Sequence, residues 1–138
     1  MEKKHFSLQE AQEVVNNIKE KVYLLIKIKK SLFLLNSIQI KHEDSFENIV
    51  QEAKLHKSFH KFSYEFYDLL LELCEEGCCI KNLNKGAINF FSQYGGREII
   101  LHWDLKDENI KYWYEANSTF DSKKPISMIE SLTTKKNR

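Results

Sequence analysis

The sequence predicts an α+β fold: a long antiparallel helical hairpin followed by a small three-stranded antiparallel sheet packed on it. Three observations carry this. Through the first half of the chain, apolar residues recur three and four apart, the signature of a helix with one buried face. After Gly77 the pattern changes to alternation rich in Ile, Phe, Tyr and Trp, which half-buried strands favour. Only four glycines and one proline punctuate 138 residues, so the elements are long and the loops few.

The first helix is expected over about residues 7 to 40. Ser7 and Glu10 form a capping box, in which each side chain satisfies the other's backbone amide, and Phe6 sits where a hydrophobic staple packs. Ala11, Val15, Ile18, Val22, Leu25, Leu32 and Leu35 follow at helical spacing. Such a helix is about 50 Å long, against a radius of gyration of about 14 Å for a compact domain of this size. It therefore spans the molecule or protrudes from it. Leu24, Ile26, Ile28 and Phe33 widen its apolar arc to about 200°, twice what one contact needs. Two neighbours are implied, one of them from another chain. The expected interface residues are Ile18, Leu25, Ile28, Leu32 and Leu35. Lys29 and Asn36 fall inside the arc, where polar residues set register or oligomeric state or carry a lysine out to water.

Residues 41–45 are polar and form the bend. The second helix is expected over 45–76, capped by Asp44 or Ser45. Phe46, Ile49, Val50 and Ala53 open its apolar face; Leu55, Phe59, Phe62, Phe66, Leu69 and Leu73 continue it, and Gly77 supplies a left-handed C-cap. The sheet is expected over 78–115. After a short extended piece from Cys78 to Leu83, the strands are Ala87–Gln93, Glu98–Leu105 and Ile110–Glu115. Gly95-Gly96 is a two-residue hairpin turn, and residues 106–109 make the second turn. Gln93 then faces Glu98, and Leu105 faces Ile110. This register puts Ile88, Phe90, Ile99, Leu101, Trp103, Ile110, Tyr112 and Tyr114 on the helix side. Asn89, His102, Asp104, Trp113 and Glu115 fall on the outer side, where a one-residue slip would exchange the faces. Thr119 to Pro125 reads as a loop. Residues 1–125 form a single domain and 126–138 a flexible tail.

Composition restricts the function. Twenty-one basic residues balance twenty acidic ones, so no global field draws the chain to nucleic acid or an anionic membrane. The greasiest stretch, Val22 to Ile40, is broken by Lys27, Lys29 and Lys30, which excludes a membrane span. The start carries no apolar signal segment. Three cysteines, two of them adjacent, make a poor disulfide framework and fit reduced thiols in a cytoplasmic setting.

The candidate chemistry is sparse. Asn89, His102, Asp104, Trp113 and Glu115 are a candidate ligand or metal pocket, since a histidine beside carboxylates can act as base or ligand; the simpler explanation is a solvated sheet face with one packed tryptophan. His56 and His60, one helical turn apart, suit two metal ligands with Glu52 as a third, though without an HExxH motif. Cys74, Cys78 and Cys79 lack zinc-site spacing. Phe59, Phe62, Tyr64, Phe66 and Tyr67 read as packing. Lys123, Lys124, Lys135, Lys136 and Arg138 form a basic tail without the interleaved aromatics of a nucleic-acid platform. No motif requires a cofactor.

The segments FSLQEA (6–11), GCCIKNLNKGAINF (77–90), Gly96-Arg97-Glu98 with LHW (101–103), IKYWYE (110–115) and the Phe120–Pro125 loop resemble domain-of-unknown-function family 2203. The resemblance implies a shared fold and no particular activity. Where the family pattern has Asp, Cys and His, this chain has Asn89, His102 and Tyr114. Where the pattern has a glycine and two arginines, it has Thr119, Lys123 and Lys124. If the family's polar set forms a catalytic or metal site, this chain has altered it.

Two functions follow. The first is a non-catalytic interaction domain that binds itself or another protein through the hairpin. The alternative is a small-molecule or metal-binding domain, enzyme included, using the outer sheet face around His102.

Overall fold

The computed structural model describes residues 3–38 and 46–129. The bend and its capping residues Asp44 and Ser45 lie outside the described residues, as do Lys135, Lys136 and Arg138. Helix α1 is Leu8–Ser37 and helix α2 is Phe46–Glu75. Strands β1 (Cys79–Asn82), β2 (Ala87–Tyr94), β3 (Arg97–Asp104), β4 (Tyr112–Glu115) and β5 (Lys124–Pro125) follow. They form one antiparallel meander in the order β1-β2-β3-β4-β5. The sheet thus has five strands rather than three. The extended piece after Gly77 pairs with β2, and two residues of the expected loop pair with β4.

Local chemistry sets the start of α1. The Ser7 amide donates to Glu10 Oε1 at 3.0 Å and the Glu10 amide to Ser7 Oγ at 3.1 Å, a complete capping box worth about 1 kcal/mol. Phe6 packs edge-on against Phe90 at 5.5 Å, its amide donates to the Phe91 carbonyl at 2.8 Å, and Ser92 Oγ donates to its carbonyl. Ahead of it, Lys3 and His5 both engage Glu98, at 3.2 and 2.9 Å. The entry to the helix is thereby tied to β2 and β3.

Ala11, Val15, Ile18, Val22, Leu25 and Ile28 are buried along one stripe of α1. All but Ile28 join Leu73, Ile88, Phe90, Ile99, Leu101, Trp103, Trp113 and Ile129 in a single core. Fully burying a side chain of this size is worth roughly 1.5–3 kcal/mol. From Ala11 to Ile28 is about 26 Å of helix, and no α1 residue beyond Ile28 is buried. The core therefore ends before the helix does. Helix α2 lies against α1, with Lys21 bridging to Glu72 and Glu76 at 3.6 and 3.7 Å, but only Leu73 of α2 is buried.

The β2–β3 register is as expected: Gln93 faces Glu98 around a Gly95-Gly96 turn, both glycines having positive φ. The β3–β4 register is displaced by one residue, with Leu101 opposite Trp113 and His102 opposite Tyr112. The connection is longer than a four-residue turn because Ile110 is drawn into the core. Its amide donates to Gln12 Oε1 of α1 at 2.9 Å. One residue of slip turns β4 over. Trp113 and Glu115 accordingly leave the His102 face, and Tyr112 and Tyr114 join it.

The packed chain continues past Pro125. The Ile126 amide donates to the Lys111 carbonyl at 2.8 Å, and Ile129 is fully buried. No helix among the described residues is long and apolar enough to cross a membrane.

Gly86 closes the turn between β1 and β2 with φ of +64°. A Cβ there would come within 2.6 Å of Leu105 Cβ and 3.3 Å of Val22 Cγ1. Gly86→Ala combines a left-handed backbone with a clash between turn, β3 and α1, and is expected to cost about 1–3 kcal/mol, read as a lower urea midpoint. Gly95→Ala, at a turn open to space, pays the backbone cost without the clash and is expected to lose less.

Candidate functional site

The displaced register builds a polar centre on the outer sheet face. Asn89, His102 and Tyr114 are all buried. Asn89 Nδ2 donates to Tyr114 Oη at 2.9 Å, and Asn89 Oδ1 stands 2.8 Å from His102 Nδ1. An amide oxygen can only accept, so Nδ1 carries the histidine proton and Nε2 carries the lone pair in the neutral ring. Nε2 has no hydrogen-bond partner among the described residues.

Phe120 roofs this centre. It lies on a 3-10 turn, Phe120–Ser122, with its ring 4.4 Å from His102, 6.1 Å from Tyr114 and 6.5 Å from Tyr112. Lys123 Nζ stands 4.6 Å from the Phe120 ring. The aromatic cover desolvates the imidazole, and burial pushes its pKa below the ordinary 6.5. Asp104 and Asp107 oppose that shift, while Lys81 and Lys106 add to it. Burial also pushes the Tyr114 hydroxyl above its ordinary 10, so it remains protonated.

His102 and Phe120 line a cleft of about 790 Å³, within the range of small-molecule sites. The cleft opens where α1 passes the end of the sheet. Tyr23, Ile26 and Lys30 form the helix side, Lys81, Asn82, Asn84 and Lys85 the β1–β2 side, and Asp104, Leu105 and Lys106 the end of β3. Lys29 Nζ, expected to reach for water, donates to Asn84 Oδ1 at 2.8 Å and ties the helix to that rim.

Of the expected site residues, Asn89, His102 and Asp104 share this region. Trp113 is buried in the core and donates through Nε1 to the Pro125 carbonyl at 3.1 Å. Glu115 pairs with Arg97. Tyr114 and Phe120 are the residues sequence reasoning placed elsewhere, Tyr114 on the helix side of the sheet and Phe120 in a loop. His56 and His60 are exposed on α2, with His56 Nε2 3.6 Å from Glu52 and the His60 ring against Phe59. Among the described residues no group of three His, Cys, Asp or Glu is placed to hold a metal. Ile18, Leu25 and Ile28 face the chain's own core, whereas Leu32 and Leu35 are half-buried.

A family model described as an uncharacterised conserved protein, DUF2203, matches residues 4–126. No curated protein and no solved structure matches the chain.

Two outcomes follow from the geometry. His102 is held uncharged by burial, so the unfolded chain binds more protons than the folded one as pH falls below 6.5. The stability contributed by its neutral form is fully present above that pH and is lost on further acidification. Thermal melts should show Tm falling between pH 7 and pH 5, with a shallower slope in His102→Gln. Separately, the Cys78 thiol is pushed up to about 12, chiefly by burial, while Cys79 is exposed. Brief iodoacetamide treatment at pH 8 is expected to alkylate Cys79 in the folded protein and Cys78 only after denaturation, as read by peptide mass.

Proposed function

From the premise that the chain belongs to the uncharacterised conserved family DUF2203, we propose that it is an interaction domain that pairs with a second copy of itself through the far half of its helical hairpin. One observation carries this reading. Beyond the last buried residue of α1, the helix presents Phe33 and Leu34 at 75% and 64% exposure, and the start of α2 presents Phe46 and Ile49 at 80% and 63%. Phe33 lies on the turn of α1 that continues the stripe of Val15 and Val22. The apolar stripe therefore runs on after the sheet that covers it has ended. Phe46, Ile49 and Ala53 recur three and four apart on α2, all of them exposed. Large apolar side chains left this exposed on both helices of a hairpin mark an interaction surface. A second copy offers the same row to itself, as a two-fold contact requires.

A second reading rests on a different observation, the buried Asn89–His102–Tyr114 chain beneath an open cleft. A hydrogen-bonded polar group placed at a cleft floor with one atom left unpartnered supports small-molecule binding there.

For the first reading, size-exclusion chromatography with light scattering should give a dimer at micromolar concentration. Phe33→Glu combined with Ile49→Glu should give a monomer of unchanged helicity, because both side chains are exposed within one chain. A wild-type protein that stays monomeric up to millimolar concentration would remove the proposal.

A further inference from the structure

Four lysines surround the His102 cleft, and each comes from a different element. Lys30 is on α1, Lys81 on β1, Lys85 in the turn after it, and Lys106 just beyond β3. None of the four forms an ion pair among the described residues, and a single carboxylate, Asp104, lines the same space. Asp104 Oδ1 is already used to accept the Lys106 amide at 3.2 Å. The chain as a whole is nearly neutral, so this local excess of positive charge is not a by-product of composition. Like charges brought together with no counter-charge cost folding free energy, and a bound anion relieves that cost.

The chemistry narrows the anion. Planar carboxylates are matched by the forked geometry of arginine, whereas lysine ammonium groups act as point charges and suit the tetrahedral oxygens of a phosphate. Among the described residues no arginine lines the cleft. Lysines converging from four sides suit a group with several oxyanions in three dimensions. Beside His102, Asn82 and Asn84, the remainder of the lining is apolar or aromatic: Tyr23, Ile26, Leu105, Ala87 and Phe120. Tyr23 is 58% exposed; Lys27 Nζ stands 5.6 Å from its ring centroid, and the other face suits a stacked ring. His102 Nε2 offers a lone pair, which calls for a hydroxyl or N–H on the ligand.

We propose that the cleft binds a small phosphorylated molecule bearing an aromatic ring and a hydroxyl or N–H group, its phosphates held by Lys30, Lys81, Lys85 and Lys106 and its donor by His102 Nε2. This rests on the small-molecule reading of the site given above. Ligands of this class include nucleoside diphosphates, which a cleft of about 790 Å³ accommodates.

The test uses the full ¹⁵N-labelled chain at pH 7, with His102 ring nitrogens and the Asn89 side-chain amide as reporters. The probes are inorganic pyrophosphate (charge alone), adenosine (ring alone) and ADP (both). ADP and pyrophosphate are expected to shift the His102 signals, with ADP tighter. Lys81→Gln combined with Lys106→Gln should weaken both at least about fivefold while leaving Tm and any adenosine response in place. Both lysines are exposed, so the variant is expected to fold. If adenosine alone moves His102, the phosphate assignment fails and the small-molecule reading stands. If no probe at millimolar concentration moves either reporter, both fall. Equal affinity in the lysine variant overturns the assignment of the charges, and a single-stranded RNA that displaces ADP from the cleft overturns the restriction to small molecules.

Discussion

The molecule depends on one apolar stripe. Ala11, Val15, Ile18, Val22 and Leu25 are the surface on which the sheet forms, and an isolated sheet of short strands has no comparable means of hiding its own apolar face. Phe6 extends the same contact beyond the helix start. Its ring would meet a Cβ at Gly77 within 2.7 Å, so the residue that ends α2 at a φ of +92° is also the one that lets the first segment lie close. A small side chain, a left-handed backbone and an aromatic staple thus meet where the hairpin joins the sheet. The covalent order of the chain explains why. The end of α2 feeds directly into β1, and β1 borders the strand that Phe6 touches.

The periodic parts of this architecture were legible because their signals are local. A capping box, a helical repeat and a Gly-Gly turn each involve residues within a few positions of one another; the box and the turn fall where expected, and α1 ends at Ser37 where about 40 was expected. The β3–β4 register was not legible, for a physical reason. Its determinant is the Gln12 side chain receiving the Ile110 amide across 98 positions of sequence, together with the burial of Ile110. No turn motif records either. A two-residue strand such as β5 carries no alternation to detect, and its place is set by Trp113 reaching the Pro125 carbonyl. The candidate site was therefore half legible. His102 and Asn89 lie on strands whose register the glycine turn announces, while Tyr114 depends on the register that nothing local announces.

That single residue of slip changes the chemistry of the outer face. With Trp113 and Glu115 beside His102, the imidazole would have had a carboxylate neighbour that favours its charged form. With Tyr112, Tyr114 and Phe120 there instead, it is desolvated and held neutral by burial. Asn89 then acts as a one-way connector: its amide donates to the tyrosine and its carbonyl oxygen accepts from the histidine, which fixes the tautomer and leaves the free lone pair on the other nitrogen. Asn89, His102 and Tyr114 hydrogen-bond together as one chain. A change at any one alters the donor and acceptor inventory of its neighbours, so these residues are best regarded as one unit.

The two proposed surfaces are also physically continuous. A second concavity, of about 580 Å³, is lined by Ile26, Lys29, Lys30, Phe33, Leu34 and Asn84. It shares Ile26, Lys30 and Asn84 with the cleft above His102 and takes in the exposed residues of the protruding helix. A partner resting on Phe33 and Leu34 would change the solvation of Lys30, and an anion at Lys30 would change the charge presented to that partner. Linkage makes such an effect reciprocal: whatever dimerisation does to ligand affinity, the ligand does equally to dimerisation. The sign follows from charge. Two copies meeting near Lys29 and Lys30 bring like charges together, and a phosphate in the cleft reduces that repulsion. On this geometry the occupied form is the one that associates more readily, and added salt, by screening the lysines, brings the empty form closer to it.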